Sequence, residues 1–210
     1  MSKSIFITGI DTDAGKSYVT GWLAKTLAEE GKEVATMKFI QTGNRGRSED
    51  IEVHRRIMGY KLPEDADLTT APVIFTYPAS PHLSAKIDGR PIDFDAIERS
   101  REVLESSYDI VLIEGAGGLM VPLGEDMLTI DYPTAHELPI ILVTNGRLGS
   151  INHTILSLEA IKSRGLELES VIYNRYFDTD PIISPDTHSY IGRYLAKHFP
   201  GVEMIDCPVI

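Results

Sequence analysis

Cysteine is almost absent: Cys207 is the only one in 210 residues. A single thiol allows neither a disulfide framework nor a cysteine-built zinc site, which fits a reducing compartment. Basic residues are also scarce, with 20 Lys and Arg against 31 Asp and Glu and a formal net charge of −11. Such a chain repels polyanions. The nearest approach to a basic patch is Arg45 and Arg47, then Arg55 and Arg56, so neither nucleic acid nor an anionic membrane surface is expected as a partner. No apolar run is long enough to cross a membrane, and Met1-Ser2-Lys3-Ser4 leads straight into a short apolar run without signal-peptide character. A cytoplasmic protein is therefore expected. Internal repeats, low-complexity tracts and Pro/Ser-rich linkers are missing too, so residues 1–210 are expected to form one domain.

What remains is an ordinary globular balance, 42% hydrophobic and 24% charged, which excludes extended disorder. Five short apolar runs stand out, at residues 5–8, 34–39, 110–113, 140–144 and 170–173. Each is rich in β-branched residues and almost continuously apolar, as a strand covered on both faces must be. Helical spacing lies between them. Residues 16–30 place Val19, Trp22, Leu23 and Leu27 on one face, with Gly31 as a stop. Further helices are expected at 51–58, 92–104, 152–163 and 185–198. Alternation of strands and helices predicts an α/β fold: a mostly parallel β-sheet flanked by helices on both faces. Ligands of such sheets sit beyond the carboxyl ends of the strands.

The strongest chemical signal follows the first run: Gly9-Ile10-Asp11-Thr12-Asp13-Ala14-Gly15-Lys16-Ser17. A glycine-rich turn between a strand and a helix points several N–H groups at one anion, and the helix terminus adds its positive end. Lys16 can then reach the β- and γ-phosphates, and the Ser17 hydroxyl can ligate Mg²⁺. This is the phosphate loop of the P-loop NTPase fold, with five residues between its glycines where four are usual. The extra residue and the two acids, Asp11 and Asp13, suggest that a second substrate touches the loop. The apolar run 110–113 ends in Glu114-Gly115-Ala116-Gly117-Gly118. A carboxylate there would hold Mg²⁺ beside the loop, and the glycines allow the backbone close to phosphate. Asp50 is a candidate second metal carboxylate, although both it and Ser48 also suit a helix N-cap. Lys38, among apolar residues near the end of the second strand, is costly to bury unpaired. Facing a γ-phosphate, it would neutralise charge developing during transfer. His82 and His153 stand too far apart in sequence to suggest a metal site, so structural roles are expected for both.

Taken together these segments resemble the dethiobiotin synthetases. The shared features are residues 7–17 with their five-residue spacing, Lys38 with Thr42-Gly43, Pro78-Ala79-Ser80-Pro81-His82, residues 114–118, Leu148-Gly149-Ser150-Ile151-Asn152-His153, and Asn174. The matches run in order from residue 4 to about residue 175. Asp13 replaces a frequent Glu, and Phe39 replaces a frequent Pro after the lysine. The resemblance implies an Mg²⁺-requiring cyclo-ligase of biotin biosynthesis, which makes dethiobiotin from 7,8-diaminononanoate, CO₂ (or bicarbonate) and ATP. A carbamate attacks the γ-phosphate, and the second amine then displaces phosphate from the carbamic–phosphoric anhydride. It implies catalytic roles for Lys16, Lys38 and Thr12, and a metal set of Ser17, Asp50 and Glu114. Nucleotide contacts are implied for residues 13–17, for 114–117, and for Asp50, Asn174, Arg175 and Pro208. Substrate contacts are implied for Thr12, Asp13, Lys38 and Thr42, and for Gly149, Ser150, Ile151 and Asn152 at a helix start. In the family that helix start serves the neighbouring subunit, so a homodimer with the substrate site at its interface is implied. Read without the family, Asn152 is simply a good N-cap.

Three rivals fit less well. Switch ATPases of the partitioning or septum-site type carry a second lysine early in the loop, where this chain has Asp11 and Asp13. Relatives that amidate corrins need a nucleophilic cysteine in a glutamine-hydrolysing domain. A degenerate nucleotide-binding module would not be expected to keep Lys16, Ser17, Lys38 and Glu114.

Overall fold

The computed structural model describes residues 3–209; Met1, Ser2 and Ile210, the ends of the expected 1–210 domain, lie outside the described residues. Six strands alternate with helices: β1 (Lys3–Gly9), β2 (Val34–Lys38), β3 (Ile110–Glu114), β4 (Ile140–Asn145), β5 (Leu168–Asn174) and β6 (Glu203–Cys207). The helices are α1 (Lys16–Glu29), α2 (Glu49–Met58), α3 (Pro81–Asp88), α4 (Phe94–Ser107), α5 (Asp131–Ala135), α6 (Ser150–Ser163) and α7 (Ile183–His198). The strands form one sheet in the order β2-β3-β1-β4-β5-β6. Every ladder among the described residues is parallel. The expected "mostly parallel" sheet of five strands is thus a wholly parallel sheet of six.

Side-chain alternation builds two cores. Phe6, Met37, Val111, Ile113, Leu142 and Val171 point to one face, against Ile97 and Leu104 of α4, Leu158 and Ile161 of α6, and Ile191 and Leu195 of α7. Ile5, Ile7, Val34, Leu112, Ile141 and Ile172 point to the other, against Val19 and Ala24 of α1 and Met58 of α2. Both faces are covered, which is why the central strands read as apolar runs. Parallel strands bring their carboxyl ends to one edge, so Gly9, Lys38, Glu114, Asn145 and Asn174 emerge together. In-register pairing sets Lys38 opposite Glu114 and Glu114 opposite Ile7.

The starts expected at 51, 92, 152 and 185 each shift by two residues, to Glu49, Phe94, Ser150 and Ile183; the shift at 152 bears on the site. Asn152 is not an N-cap: α6 begins at Ser150, capped by Gly149 at φ 96°, and Asn152 lies exposed in its first turn. Glycine tolerates that left-handed turn, which moves the start two residues upstream.

Candidate functional site

The phosphate loop joins the end of β1 to the start of α1. Gly15 has φ +87°, and a Cβ there would lie 2.1 Å from Asn174 Nδ2 and 3.2 Å from the Phe177 ring. A side chain at this position would be strained and would displace Asn174. Asn174 in turn braces the loop, donating from Nδ2 to the Ala14 carbonyl at 3.3 Å. Lys16 is 4% exposed and folds back over the loop, donating to the carbonyls of Asp11 at 3.0 Å and Thr12 at 3.2 Å. Burial, reinforced by repulsion from Lys38, pushes its pKa down to about 8.

Helix α2 supplies the next group. Ser48 takes the N-cap, its Oγ accepting from the Ile51 amide at 3.2 Å, and this leaves Asp50 free to turn toward the loop. Asp50 Oδ2 lies 2.5 Å from Lys38 Nζ, and Glu114 Oε1 lies 2.8 Å from the same nitrogen. Lys38 also donates to the Gly115 carbonyl at 3.2 Å. Burial works against the Lys38 charge, but Glu114 and Asp50 outweigh it and hold the pKa above the ordinary lysine value. Burial works against the Glu114 charge too, yet Lys38 and a hydrogen bond from His54 keep this carboxyl well below the usual range.

Ser17 Oγ lies 2.7 Å from Asp50 Oδ1 and 2.9 Å from Glu114 Oε1. A hydroxyl has one proton to give, so Ser17 can donate to only one of these two carboxylate oxygens at a time. Two carboxylates and a hydroxyl are hard oxygen donors, and the set fits a small hard cation such as Mg²⁺. Among the described residues no group of three or more His, Cys, Asp or Glu side chains converges as a metal site. His82 and His153 are both exposed, and the His82 imidazole meets the Ser80 hydroxyl at 3.0 Å.

A cleft of about 520 Å³ opens over these groups. Of the residues singled out in the sequence, Thr12, Asp13, Gly15, Lys16, Ser17, Lys38, Thr42, Asp50, Glu114, Ala116 and Gly117 line it. Tyr18, Ile40, Gln41, Arg147 and Phe177 line it as well and were not foreseen. The Arg147 guanidinium lies 3.8 Å from the Phe177 ring centroid. These two come from the turns after β4 and β5, and only the strand order brings those turns to the loop. His54 was also missed, because its partner Glu114 lies 60 residues away.

Other expected residues stand apart from the cleft. Ala14 and Gly115 are buried beside it. Arg175 pairs with Asp178 and Asp206 at 3.0 and 2.6 Å, so its charge is directed to the β6 side. Pro208 is exposed, and its carbonyl accepts from the Tyr18 hydroxyl at 3.0 Å. Gly149, Ser150, Ile151 and Asn152 lie together at the start of α6, where Ser150 Oγ donates to Asn145 Oδ1 at 2.6 Å. Leu148, Leu156 and Met120 are 86%, 61% and 56% exposed; Leu148 precedes this turn, whereas Met120 and Leu156 share a shallow pocket with Thr12 and His153. A larger cavity of about 770 Å³ opens beside α2, lined among others by Arg55, Arg56 and Lys61. It holds none of the strand-end groups, so the smaller cleft is the candidate active site.

The model of a family described as an AAA domain matches residues 3–199. The chain is 51% identical over 202 residues to an ATP-dependent dethiobiotin synthetase of Pasteurella multocida, covering 96% of this chain and 95% of that one. It is 48% identical over 205 residues to an ATP-dependent dethiobiotin synthetase of Chlorobaculum tepidum, covering 97% and 84%. Among solved structures it resembles a ParA family ATPase from Chlorobium tepidum, with TM-score 0.53, 18% identity, and 99% and 85% of the two chains covered. It also resembles chloroplast FtsY from Physcomitrella patens, with TM-score 0.53 and 16% identity; 97% of this chain is covered, but it spans only 57% of that longer one. At such identities these structures speak for the fold alone.

Proposed function

The chain belongs to the ATP-dependent dethiobiotin synthetases, and from that premise we propose how its cleft does the work. It is a ligase of biotin biosynthesis: it carboxylates 7,8-diaminononanoate with CO₂ and closes the ureido ring of dethiobiotin, converting ATP to ADP and phosphate.

Residues 1–210 act as one catalytic domain. The triphosphate lies along the phosphate loop with its charge over the N-terminus of α1. Ser17, Asp50 and Glu114 hold Mg²⁺, which supplies charge neutralisation to the β- and γ-phosphates when bound. One free amine of the substrate bonds to CO₂ and loses a proton to give a carbamate. A carbamate oxygen then attacks the γ-phosphorus, and the bond to the β–γ bridging oxygen breaks to release ADP. Lys16 and Lys38 grip the equatorial and carbamate oxygens through this transfer. The second amine attacks the carbamyl carbon; phosphate leaves with the C–O electrons, and the nitrogen loses a proton. Thr12, Asp13 and Thr42 meet the diamine, where the Asp13 carboxylate attracts its ammonium ends. Asn174, Arg175 and Pro208 lie on the nucleotide side. The first-turn N–H groups of α6 at Gly149–Asn152 bind the substrate carboxylate of a second subunit. Exposed Leu148, Met120 and Leu156 support that homodimer, since apolar side chains beside a polar site suit a covered face.

No helix among the described residues is long and apolar enough to cross a membrane, and the net charge of −11 disfavours polyanions; we take the enzyme to be cytoplasmic and free of nucleic acid. The observation that carries the site assignment is the meeting of Lys16, Ser17, Lys38, Asp50 and Glu114 in one cleft. The test is ADP release with Mg·ATP and bicarbonate, with and without 7,8-diaminononanoate. Diamine-dependent ADP and a ureido product, lost in Lys16→Gln, are expected. Turnover indifferent to the diamine, or unaffected by Lys16→Gln, overturns the assignment.

A further inference from the structure

A buried chain of polar groups runs away from the cleft behind Glu114. His54, on α2, is 0% exposed. Its Nε2 lies 2.6 Å from Glu114 Oε2, and its Nδ1 lies 3.0 Å from Thr36 Oγ1. Arg55 Nη1 donates to the same Thr36 oxygen at 2.7 Å. The Arg55 charge is itself matched by Asp65, which accepts from Nε and Nη2 at 2.8 Å each.

These contacts fix the direction of each bond. A guanidinium only donates, so the Thr36 hydroxyl accepts from Arg55. The ionised Glu114 carboxylate can only accept, so the ring proton sits on Nε2 and Nε2–H donates to Glu114 Oε2. In the neutral ring Nδ1 then takes the Thr36 hydroxyl proton. The two oxygens of Glu114 are thereby separated: Oε2 is tied into the protein, and Oε1 faces Ser17 and Lys38 at 2.9 and 2.8 Å.

We propose that His54 is a positioning residue: it holds Glu114 by one oxygen so that the other stays turned to the cation and phosphates, with Thr36 and Arg55 supporting the ring at Nδ1. The proposal rests on the reading of Glu114 as a Mg²⁺ carboxylate. An outer partner that orients a ligating carboxylate typically changes metal affinity by about 10–100-fold when removed. A histidine that merely fills the core would change stability and leave the metal constant alone.

The experiment is Mn²⁺ binding to the purified enzyme with ADP, read from the electron paramagnetic resonance signal of free Mn²⁺, alongside thermal unfolding. The variants are His54→Leu, His54→Gln, Thr36→Val and Glu114→Gln. His54→Leu is expected to weaken Mn²⁺ binding about tenfold or more. His54→Gln, whose amide can donate from nearly the same place, is expected to restore most of it. Thr36→Val keeps the ring but removes its Nδ1 partner, and a several-fold weakening is expected; this variant also serves if His54→Leu does not fold. Wild-type Mn²⁺ affinity in His54→Leu or Thr36→Val, with Glu114→Gln severely impaired, overturns the proposal and spares the metal reading. Unchanged affinity in Glu114→Gln overturns both.

Discussion

Lys38→Met tests the charge cluster most directly, because it removes one ammonium and leaves the carboxylates in place. Lys38 Nζ is 2.5 Å from Asp50 and 2.8 Å from Glu114, and the three side chains are 5%, 26% and 1% exposed. Removing one side of a buried ion pair costs about 3–5 kcal/mol, since a charge is left without its partner. Glu114 keeps His54 and Ser17 as donors, and Asp50 is partly open to water, so a loss near the low end, about 3 kcal/mol, is expected. At this chain length each kcal/mol moves the melting midpoint by about 2–4 °C, so a fall of about 6–12 °C follows. The assay is thermal and urea unfolding in EDTA without nucleotide, then again with millimolar Mg²⁺. The ion should recover part of the loss in Lys38→Met and little in the wild type, because it binds the folded carboxylates and replaces the missing positive charge. A variant within about 1 kcal/mol of wild type in EDTA would show that Lys38 is not part of a buried cluster in solution, and would refute the reasoning.

Four further outcomes are expected. Gly15→Ala places a Cβ 2.1 Å from Asn174 Nδ2 at φ +87°; a loss of about 1–3 kcal/mol and a raised ATP half-saturation follow, and wild-type values for both would contradict the geometry. Asp65 is held below the ordinary carboxylate range because the Arg55, Thr70 and Leu62 hydrogen bonds outweigh its burial. Its contribution is therefore present above about pH 4 and lost as pH falls through the depressed value; Asp65→Asn should be less stable at pH 7 and lose less stability toward pH 3, and parallel unfolding curves would count against this. Burial pushes the Cys207 thiol up to about 12, so Ellman's reagent at pH 8 should react slowly with the native protein and at once in urea; equal rates would place Cys207 at the surface. Leu148 is 86% exposed beside the α6 start, so if the proposed homodimer covers that turn, Leu148→Glu should sediment as a monomer where the wild type sediments as a dimer; a wild-type monomer, or a variant that stays dimeric, would refute that interface.

The parts of this molecule that were legible beforehand are those whose causes are local. The phosphate loop must sit between a strand and a helix, and strands covered on both faces must be apolar, so the first five strands and the line Lys16-Ser17 could be read directly. The sixth strand, Glu203–Cys207, carries exposed acids at Glu203 and Asp206 because it lies at the sheet edge, and so it gave no continuous apolar run. Helix α3 begins inside Pro78–His82, which was noticed only as a motif. Asp50 could be read as a cap or as a ligand, and the cap position is taken by Ser48. His54 and the Arg147–Phe177 pair were illegible for a different reason: their meaning lies in contacts that exist only once the strand order is known. The cluster at Gly149–Asn152 could be located along the chain, and its separation from the cleft was implied only by the family resemblance.

The opposition of Lys38 to Glu114 across β2 and β3 also bears on how the sheet finds its alignment. Strands that are apolar on both faces specify their pairing weakly, because a shifted arrangement still buries hydrocarbon. A shift of one residue, however, turns Lys38 to the opposite side of the sheet, so that an ammonium and a carboxylate are each buried without the other. Mispaired sheets are thus rejected by unmatched charge where packing alone would tolerate them. The pairing of Lys38 with Glu114 therefore favours the native register as the sheet forms, in addition to joining the finished strands.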